Sequence, residues 1–500
     1  MKSFMRAISL FIIVPGMAFG QSDEDALRYS MQMTGGTARY MGLGGAFGAL
    51  GADIGSLSSN PAGIGLYRTS DFQFTMAVND VTTKASYLGN TLNGSKAPFN
   101  IPSFGMVVSS DVTRKHSESK WKRVNFAFGM NRMNDYNKVT NFAGYNTENS
   151  LSDYYAEQAN QNGGVNPGQI SNTYPFGAGL LYETYVIDPI PYDTTMYRSR
   201  IQNGNIQQSS FLEEHGSHSE YVLSLGANYD DHLLIGATMG LPAFYYYSDW
   251  TFIENDEEDA HEDFVSYSLY NHVGTHAFGI NGKFGLSYIL NDFLRVGLAF
   301  HTPTLFAMHD EYNSYASSVI GPAESYDWGS PFGSYDYDLV TPWRLVGSVA
   351  GFFGKSGFIS ADYELVDYAA MKFNFNRYAT SDELIIENQL NQTIDQKYRA
   401  ASSVRVGGEY AYDMFRIRAG IGYYDSPFKK GVATGDSDFS RWTYSGGLGM
   451  RGDHYYFDLA YVRTEANELF QPYTLSNEDV PGAAVKKVSN NFVATVGARF

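Results

Sequence analysis

Cysteine is absent from the 500 residues, so any chemistry must come from imidazoles, carboxylates and guanidiniums. That absence removes thiolate metal sites, iron–sulfur clusters, thiol nucleophiles and disulfides together. The 10 His show no metal-ligand spacing, and the nearest pairs are His215-Gly-Ser-His218 and His272-Val-Gly-Thr-His276. His272 and His276 would share one face of a strand. That leaves a haem or metal role standing beside plain solvated histidines. No Ser/His/Asp array or carboxylate pair can be placed at a pocket mouth. An enzyme is therefore not expected, although lipid-cleaving barrels exist, and no cofactor is expected. Arg405, Arg416 and Arg418 alternate with apolar neighbours, as do Asp362, Glu364 and Glu409. Such arginines can take the carboxylate of a ligand, or all six can form a structural ion-pair network.

The elements that carry these residues are strands. Phe72, Phe74, Met76 and Val78 occupy every second position, and so do Val124, Phe126, Phe128 and Met130. Tyr221, Leu223, Leu225, Ala227 and Tyr229 repeat the pattern, as do Phe278, Ile280, Phe284, Leu286, Tyr288 and Leu290. The C-terminal third repeats it from Val404 to the terminal Phe500. The intervening positions are charged, polar or Gly, which matches a lipid-facing exterior and a polar lumen. Aromatics make up 16% and charged residues only 18%, which also favours many strands with aromatic outer faces. A net charge of −18 argues against nucleic acid as a partner.

Met1–Gly20 reads as a cleaved signal peptide: Lys2 and Arg6, an apolar run over Ala7–Val14, then Ala18-Phe19-Gly20. No later apolar run is long enough for a membrane helix, so a membrane-spanning form must be a closed barrel. Links such as Tyr229–His232, Ile289–Asp292, Tyr412–Met414 and Arg451–His454 are short, as periplasmic turns are. The opposite connections are long: 134–217, 303–342, 368–401 and 464–488. These features predict an all-β fold, a transmembrane antiparallel β-barrel of about fourteen strands over residues 71–500. Phe244–Ile253 and Val265–Val273 read equally as strand extensions, a loop hairpin or further strands. A secreted sandwich or propeller is the soluble alternative, but no blade-like repeat is present.

Residues 21–70 do not alternate. A short helical stretch at Asp23–Met33 precedes the Gly-rich Gly35–Gly51, and Asn60-Pro61-Ala62-Gly63 follows. No Gly-Lys-Ser/Thr completes a phosphate loop. A compact N-terminal hatch inside the lumen is the expectation, because glycines allow close backbone packing and Asn-Pro favours a fixed turn.

Several of these segments resemble the long-chain fatty acid transporter family of outer-membrane proteins, which includes aromatic-hydrocarbon transporters. The similar residues are Met41–Gly51, Ser58-Ser59-Asn60-Pro61-Ala62-Gly63, Thr341-Pro342-Trp343-Arg344, and Arg418-x-Gly420 running on to Asp425-Ser426-Pro427. The resemblance implies a fourteen-stranded barrel plugged by an N-terminal hatch. It also implies passive uptake of hydrophobic small molecules such as long-chain fatty acids. Asn60, Pro61, Ala62 and Gly63 would then be hatch residues affecting passage, where the alternative is a plain turn before a strand. The segment 134–217 has no alignable counterpart. Within it, Leu151, Tyr154, Tyr155 and Ala159 at helical spacing would make an apolar capture groove, or a helix packed on its own loop core.

The expected partners are hydrophobic molecules, outer-membrane lipid and lipopolysaccharide, and the barrel-assembly machinery reading Phe500. A monomer in the bacterial outer membrane is expected. Two other functions fit the same pattern: a receptor for haem or another apolar ligand, and a structural or adhesive surface barrel.

Overall fold

In a computed structural model describing residues 21–33, 35–114, 118–322, 324–375, 379–431 and 438–500, the alternating segments close into one barrel. The signal-peptide reading falls on Met1–Gly20, outside the described residues. The wall strands are β1 (Asp71–Tyr87), β2 (Phe99–Asp111), β3 (Trp121–Asp135), β4 (Ile206–Tyr229), β5 (Leu233–Asn255), β6 (Phe264–Asn291) and β7 (Leu294–His301). They continue as β8 (Arg344–Phe352), β9 (Gly357–Asp367), β10 (Ala400–Tyr412), β11 (Phe415–Tyr424), β12 (Arg441–Arg451), β13 (Tyr455–Phe470) and β14 (Ala483–Arg499). Each pairs antiparallel with the next, and β14 returns to β1 from Asp71↔Arg499 to Ser86↔Ala484. Closure leaves no free edge, so every wall strand has ladder partners on both sides, as a hydrocarbon environment demands.

Burial runs opposite to that of a soluble protein. On β6, Phe278, Ile280, Phe284, Leu286, Tyr288 and Leu290 are exposed, whereas Asn281, Lys283 and Ser287 between them are buried. Lys283 is 2% exposed and pairs with Glu220 of β4. An apolar exterior around a polar interior is the arrangement lipid selects.

β4, β5 and β6 run for 24, 23 and 28 residues. Their upper halves rise beyond the apolar belt. Phe244–Ile253 and Val265–Val273 are therefore continuations of β5 and β6. Beyond β7 the wall continues as Leu305–Ile320, after a break at Thr302-Pro303-Thr304 where β6 pairing steps from Lys283↔His301 to Ile280↔Leu305. The next strand breaks alongside it at Thr341-Pro342-Trp343, between the Leu305↔Val340 and His301↔Arg344 pairs. Proline lacks the N–H a ladder needs, so it sits where the wall bends.

The space inside this raised wall is filled by the 134–217 connection, which carries α3 (Leu151–Ala159), α4 (Ile170–Thr173) and α5 (Ala178–Glu183). These follow α1 (Asp23–Ser30) and α2 (Ala38–Gly42) of the N-terminal segment. Leu151, Tyr155, Leu180 and Leu181 pack there against Phe252, Phe264 and Tyr267 of the wall. A second loop helix, α6 (Ser381–Lys397), packs Ile394 against Phe373 and Tyr398. The N-terminal segment lies within the barrel, with 3-10 turns at Ile54–Leu57 and Pro61–Leu66 after α1 and α2.

Candidate functional site

The lumen is plugged by residues 36–67, and polar wall side chains hold the plug by its backbone. Asp362 accepts the N–H groups of Phe47 and Gly48, each at 3.0 Å. Asn125 donates to Ile64 O at 2.7 Å and Tyr67 O at 3.0 Å, and Asn131 donates to Ile54 O at 3.2 Å. A ring nitrogen of His301 lies 2.7 Å from Ser59 O. Each such bond satisfies a buried backbone group that would otherwise be costly.

Asn60 is the N-cap of the Pro61–Leu66 turn. Its Oδ1 accepts the Ala62 N–H at 3.1 Å, and Pro61 stands at N1, where no N–H is missed. Asn60 Nδ2 donates to Gly48 O at 2.6 Å within the hatch and to Leu286 O of the wall at 3.3 Å. The turn lies directly on wall backbone. A Cβ on Gly285 would sit 2.8 Å from Ala62 N and 3.0 Å from Pro61 Cδ, and a Cβ on Gly63 would meet Gly51 Cα at 2.6 Å. The inward-facing glycines of the alternating strands are thus the bed on which the hatch rests.

Above this floor the wall opens. The β2–β3 ladder ends at Ser103↔Asn131, but β3 continues to Asp135 beside β4 alone. Pro102 stands beside the last pair, and the β1–β2 register shifts between Thr75 and Ala77. The resulting window opens on a cavity. Asn79, Asn100, Pro102, Arg132 and Met133 of the wall line it, with Met33, Gly35 and Met41 of the N-terminal segment. The strap before the hatch substitutes for the missing strand at one point, where Met33 N–H donates to Met133 O at 2.7 Å. Gly35 is needed there, since a Cβ would collide with the Arg132 carbonyl.

A second cavity lies behind the strap, lined by Met31, Gln32, Met33, Tyr40, Ser59, His301, Arg344, Arg405, Tyr424 and Arg441. Arg441, Tyr424, Met33 and Met133 line both spaces. Arg441 lies over the Tyr424 ring at 4.3 Å and donates to Gln32 O at 3.3 Å. No carboxylate forms an ion pair with it among the described residues.

The three arginines singled out from the sequence sit differently. Arg405 faces the second cavity but pairs with Glu364 at 2.7 Å and Asp362 at 3.9 Å. Arg418 is buried between Glu409 and Asp458, at 2.6 Å from each. Arg416 lies 3.8 Å from Glu409 and donates to the Asp413 and Phe415 carbonyls at 2.7 Å. The ion-pair network weighed in the sequence is the arrangement in which all three lie. Arg441 has the same inward phase on its strand as Thr443 and Ser445, which was a legible signal that pointed to it. Alternation does not tell a paired guanidinium from an unpaired one.

Leu151, Tyr155 and Ala159 are buried in the loop core and Tyr154 packs at its edge, 5.1 Å from the Tyr155 ring. The loop core is where an apolar helix face can be shielded from water. His272 and His276 lie on the outer face above the lipid belt, His272 Nδ1 2.8 Å from Asp249 and His276 Nε2 2.8 Å from the Tyr247 hydroxyl. His218, by contrast, is buried in the lumen against Phe244 and Phe306. Among the described residues no three His, Asp or Glu side chains are arranged to hold a metal ion.

No protein-family model matches the sequence, and no curated protein matches it. Solved structures do match. A Pseudomonas aeruginosa FadL homologue is similar at 12% identity and TM-score 0.57, over 94% of this chain and 99% of that one. The P. putida toluene transporter TodX is similar at 14% identity and TM-score 0.55, over 94% and 99%. The Ralstonia pickettii toluene transporter TbuX is similar at 16% identity and TM-score 0.52, over 94% and 99%. This chain has their fold. It is a closed, membrane-spanning barrel of the outer-membrane type, with a hatch in its lumen.

Proposed function

We propose that this protein carries hydrophobic small molecules with an acidic head, long-chain fatty acids among them, across the outer membrane by passive diffusion. The fold shared with a FadL homologue and with toluene transporters supports carriage of a hydrophobic compound. The acidic head is argued from Arg441, a guanidinium with no carboxylate partner among the described residues, at the junction of window and inner cavity. Met33, Met41, Met133 and Tyr424 line the same space, beside polar side chains that include Asn79, Asn100 and Thr443. Methionines adapt to varied apolar shapes, and a guanidinium forms strong charge-assisted bonds with a carboxylate. A neutral hydrocarbon would leave that charge unused.

Arg405, Arg416 and Arg418 would serve the ligand only through exchange with their present partners. Asn60, Pro61, Ala62 and Gly63 would set passage through the hatch by fixing its position. Phe500 would be the residue read by the insertion machinery, with outer-membrane lipid and lipopolysaccharide around a monomeric barrel.

The test is uptake of labelled hexadecanoate by cells with and without the gene, with toluene uptake measured beside it. Expected is gene-dependent hexadecanoate uptake that Arg441→Leu lowers about tenfold, as loss of one charge-assisted bond would. Equal hexadecanoate uptake with and without the gene would remove fatty acids as substrates.

A further inference from the structure

On the outer surface, at the seam between the first and last strands, two lysines stand directly opposite one another. Lys84 of β1 and Lys486 of β14 are a cross-strand pair, and both side chains are exposed. Like charges facing each other across an antiparallel pair are destabilising. The row continues to Asn467 on β13 and to Asn93 on the short strand Asn90–Lys96, both exposed as well. Lys486 Nζ lies 3.5 Å from Glu465, which already pairs with Arg463 at 2.8 Å. Asp80 lies two outward positions below Lys84, opposite Asn490. The Lys84 side chain has no hydrogen bond or ion pair among the described residues. In a chain of net charge −18, this pair is left without the carboxylates that could neutralise it.

Height decides what faces these lysines. The apolar band of an outer-membrane barrel is about 25 Å tall and its strands tilt by about 40°. A strand rises about 3.3 Å per residue, so about ten residues cross the band. Counted upward from the Phe72↔Ala498 pair, the band ends at Thr82↔Val488. Exposed Trp442 lies in that same row, through Glu465, as aromatics do at the edge of a bilayer. Lys84 and Lys486 are the next outward pair, where acyl chains give way to head groups. The same count on β4, β5 and β6, from Tyr229↔Leu233↔Tyr288, brings Ser217, Tyr245 and His276 to the corresponding row, with no lysine or arginine. The lysine pair is thus a local feature of the seam.

The outer leaflet above such a band is lipopolysaccharide, whose sugar head carries phosphates directly over its acyl chains. We propose that Lys84 and Lys486, flanked by Asn93 and Asn467, hold a lipopolysaccharide phosphate across the seam. A phosphate between the two ammoniums replaces their repulsion with charge-assisted bonds to both. It ties the first strand to the last from outside the ladder, and the amides beside it suit sugar hydroxyls. This gives a place to the lipopolysaccharide contact proposed above and does not depend on what the barrel carries.

The test uses the full-length protein in detergent, titrated with fluorescently labelled lipid A in its diphosphorylated and phosphate-free forms. The two probes share sugars and acyl chains, so their difference reads the phosphate alone. Wild type is expected to bind the phosphorylated form at least about tenfold more tightly at low salt, and the margin should shrink as salt is added. Lys84→Gln/Lys486→Gln is expected to remove that preference and leave binding of the phosphate-free form unchanged. Lys120→Gln/Lys355→Gln removes the same charge from exposed positions on periplasmic turns and is expected to change neither. A preference kept by the Lys84/Lys486 variant would overturn this site while leaving lipopolysaccharide contact in place. A wild type that does not distinguish the two probes would overturn phosphate recognition altogether, and the transport reading would stand in either case.

Discussion

Replacing Gly285 by alanine probes the seat of the hatch with a single methyl group. The new Cβ would fall on Asn60 Oδ1 and lie 2.8 Å from Ala62 N. Asn60 cannot swing aside freely, because its amide is already committed to Gly48 O at 2.6 Å and to Ala62 N–H at 3.1 Å. Overpacking of this kind costs about 1–3 kcal/mol, and loss of the Asn60 cap adds about 1 kcal/mol. Together they make about 2–4 kcal/mol, or an increase of about 30- to 1,000-fold in the population whose hatch is lifted. Single-channel recording in planar bilayers reads that population directly as open events. Gly285→Ala is expected to raise open probability over that range while the assembled barrel keeps its resistance to unfolding in detergent. A variant with wild-type conductance would show that the hatch does not rest on this strand, and the reasoning from the glycine bed would fall with it.

Two other substitutions test neighbouring parts of the argument. Arg418→Met leaves Glu409 and Asp458 facing each other without the shared guanidinium. Removing one partner of a buried pair costs about 3–5 kcal/mol, and the low end is expected in urea unfolding because Arg451 still reaches Asp458 at 2.8 Å; no loss would mean the network is dispensable. In the loop assembly, burial raises Asp153 from 3.8 to about 7, with the Ser150 N–H opposing the rise. A carboxyl raised on folding contributes stability in full below its unfolded pKa and loses it as pH climbs through the folded one. Amide exchange over residues 147–165, corrected for intrinsic rates, should therefore quicken from pH 5 to pH 8 in wild type and stay flat in Asp153→Asn.

The parts of this fold that face hydrocarbon were readable from sequence because lipid enforces the alternation. Phe278 to Leu290 carry an outer apolar row interrupted at Gly282 alone, and the strand could not be mistaken. Above the belt the outer face meets water, so Tyr245, Tyr247 and His272 replace the apolar row and the continuations of β5 and β6 lose their signature. The hatch was legible through Asn60 and Pro61, whose capping chemistry is local. The site was less so. Arg405 finds Glu364 on the neighbouring β9, and Arg418 finds Asp458 two strands away on β13. Which guanidinium is left for a ligand depends on the ring closing, and no short stretch of sequence contains that information. The window beside Asn131 was hidden for the same reason, since a ladder's end is a property of two strands.

The zip between the first and last strands carries a consequence for biogenesis. Thr495 of β14 holds both Thr75 of β1 and the Ala38 N–H of the hatch, each at 2.8 Å. Zipping the last strand onto the first therefore also fastens the plug, and one hydroxyl, that of Thr495, ties completion of the cylinder to the seating of what it encloses.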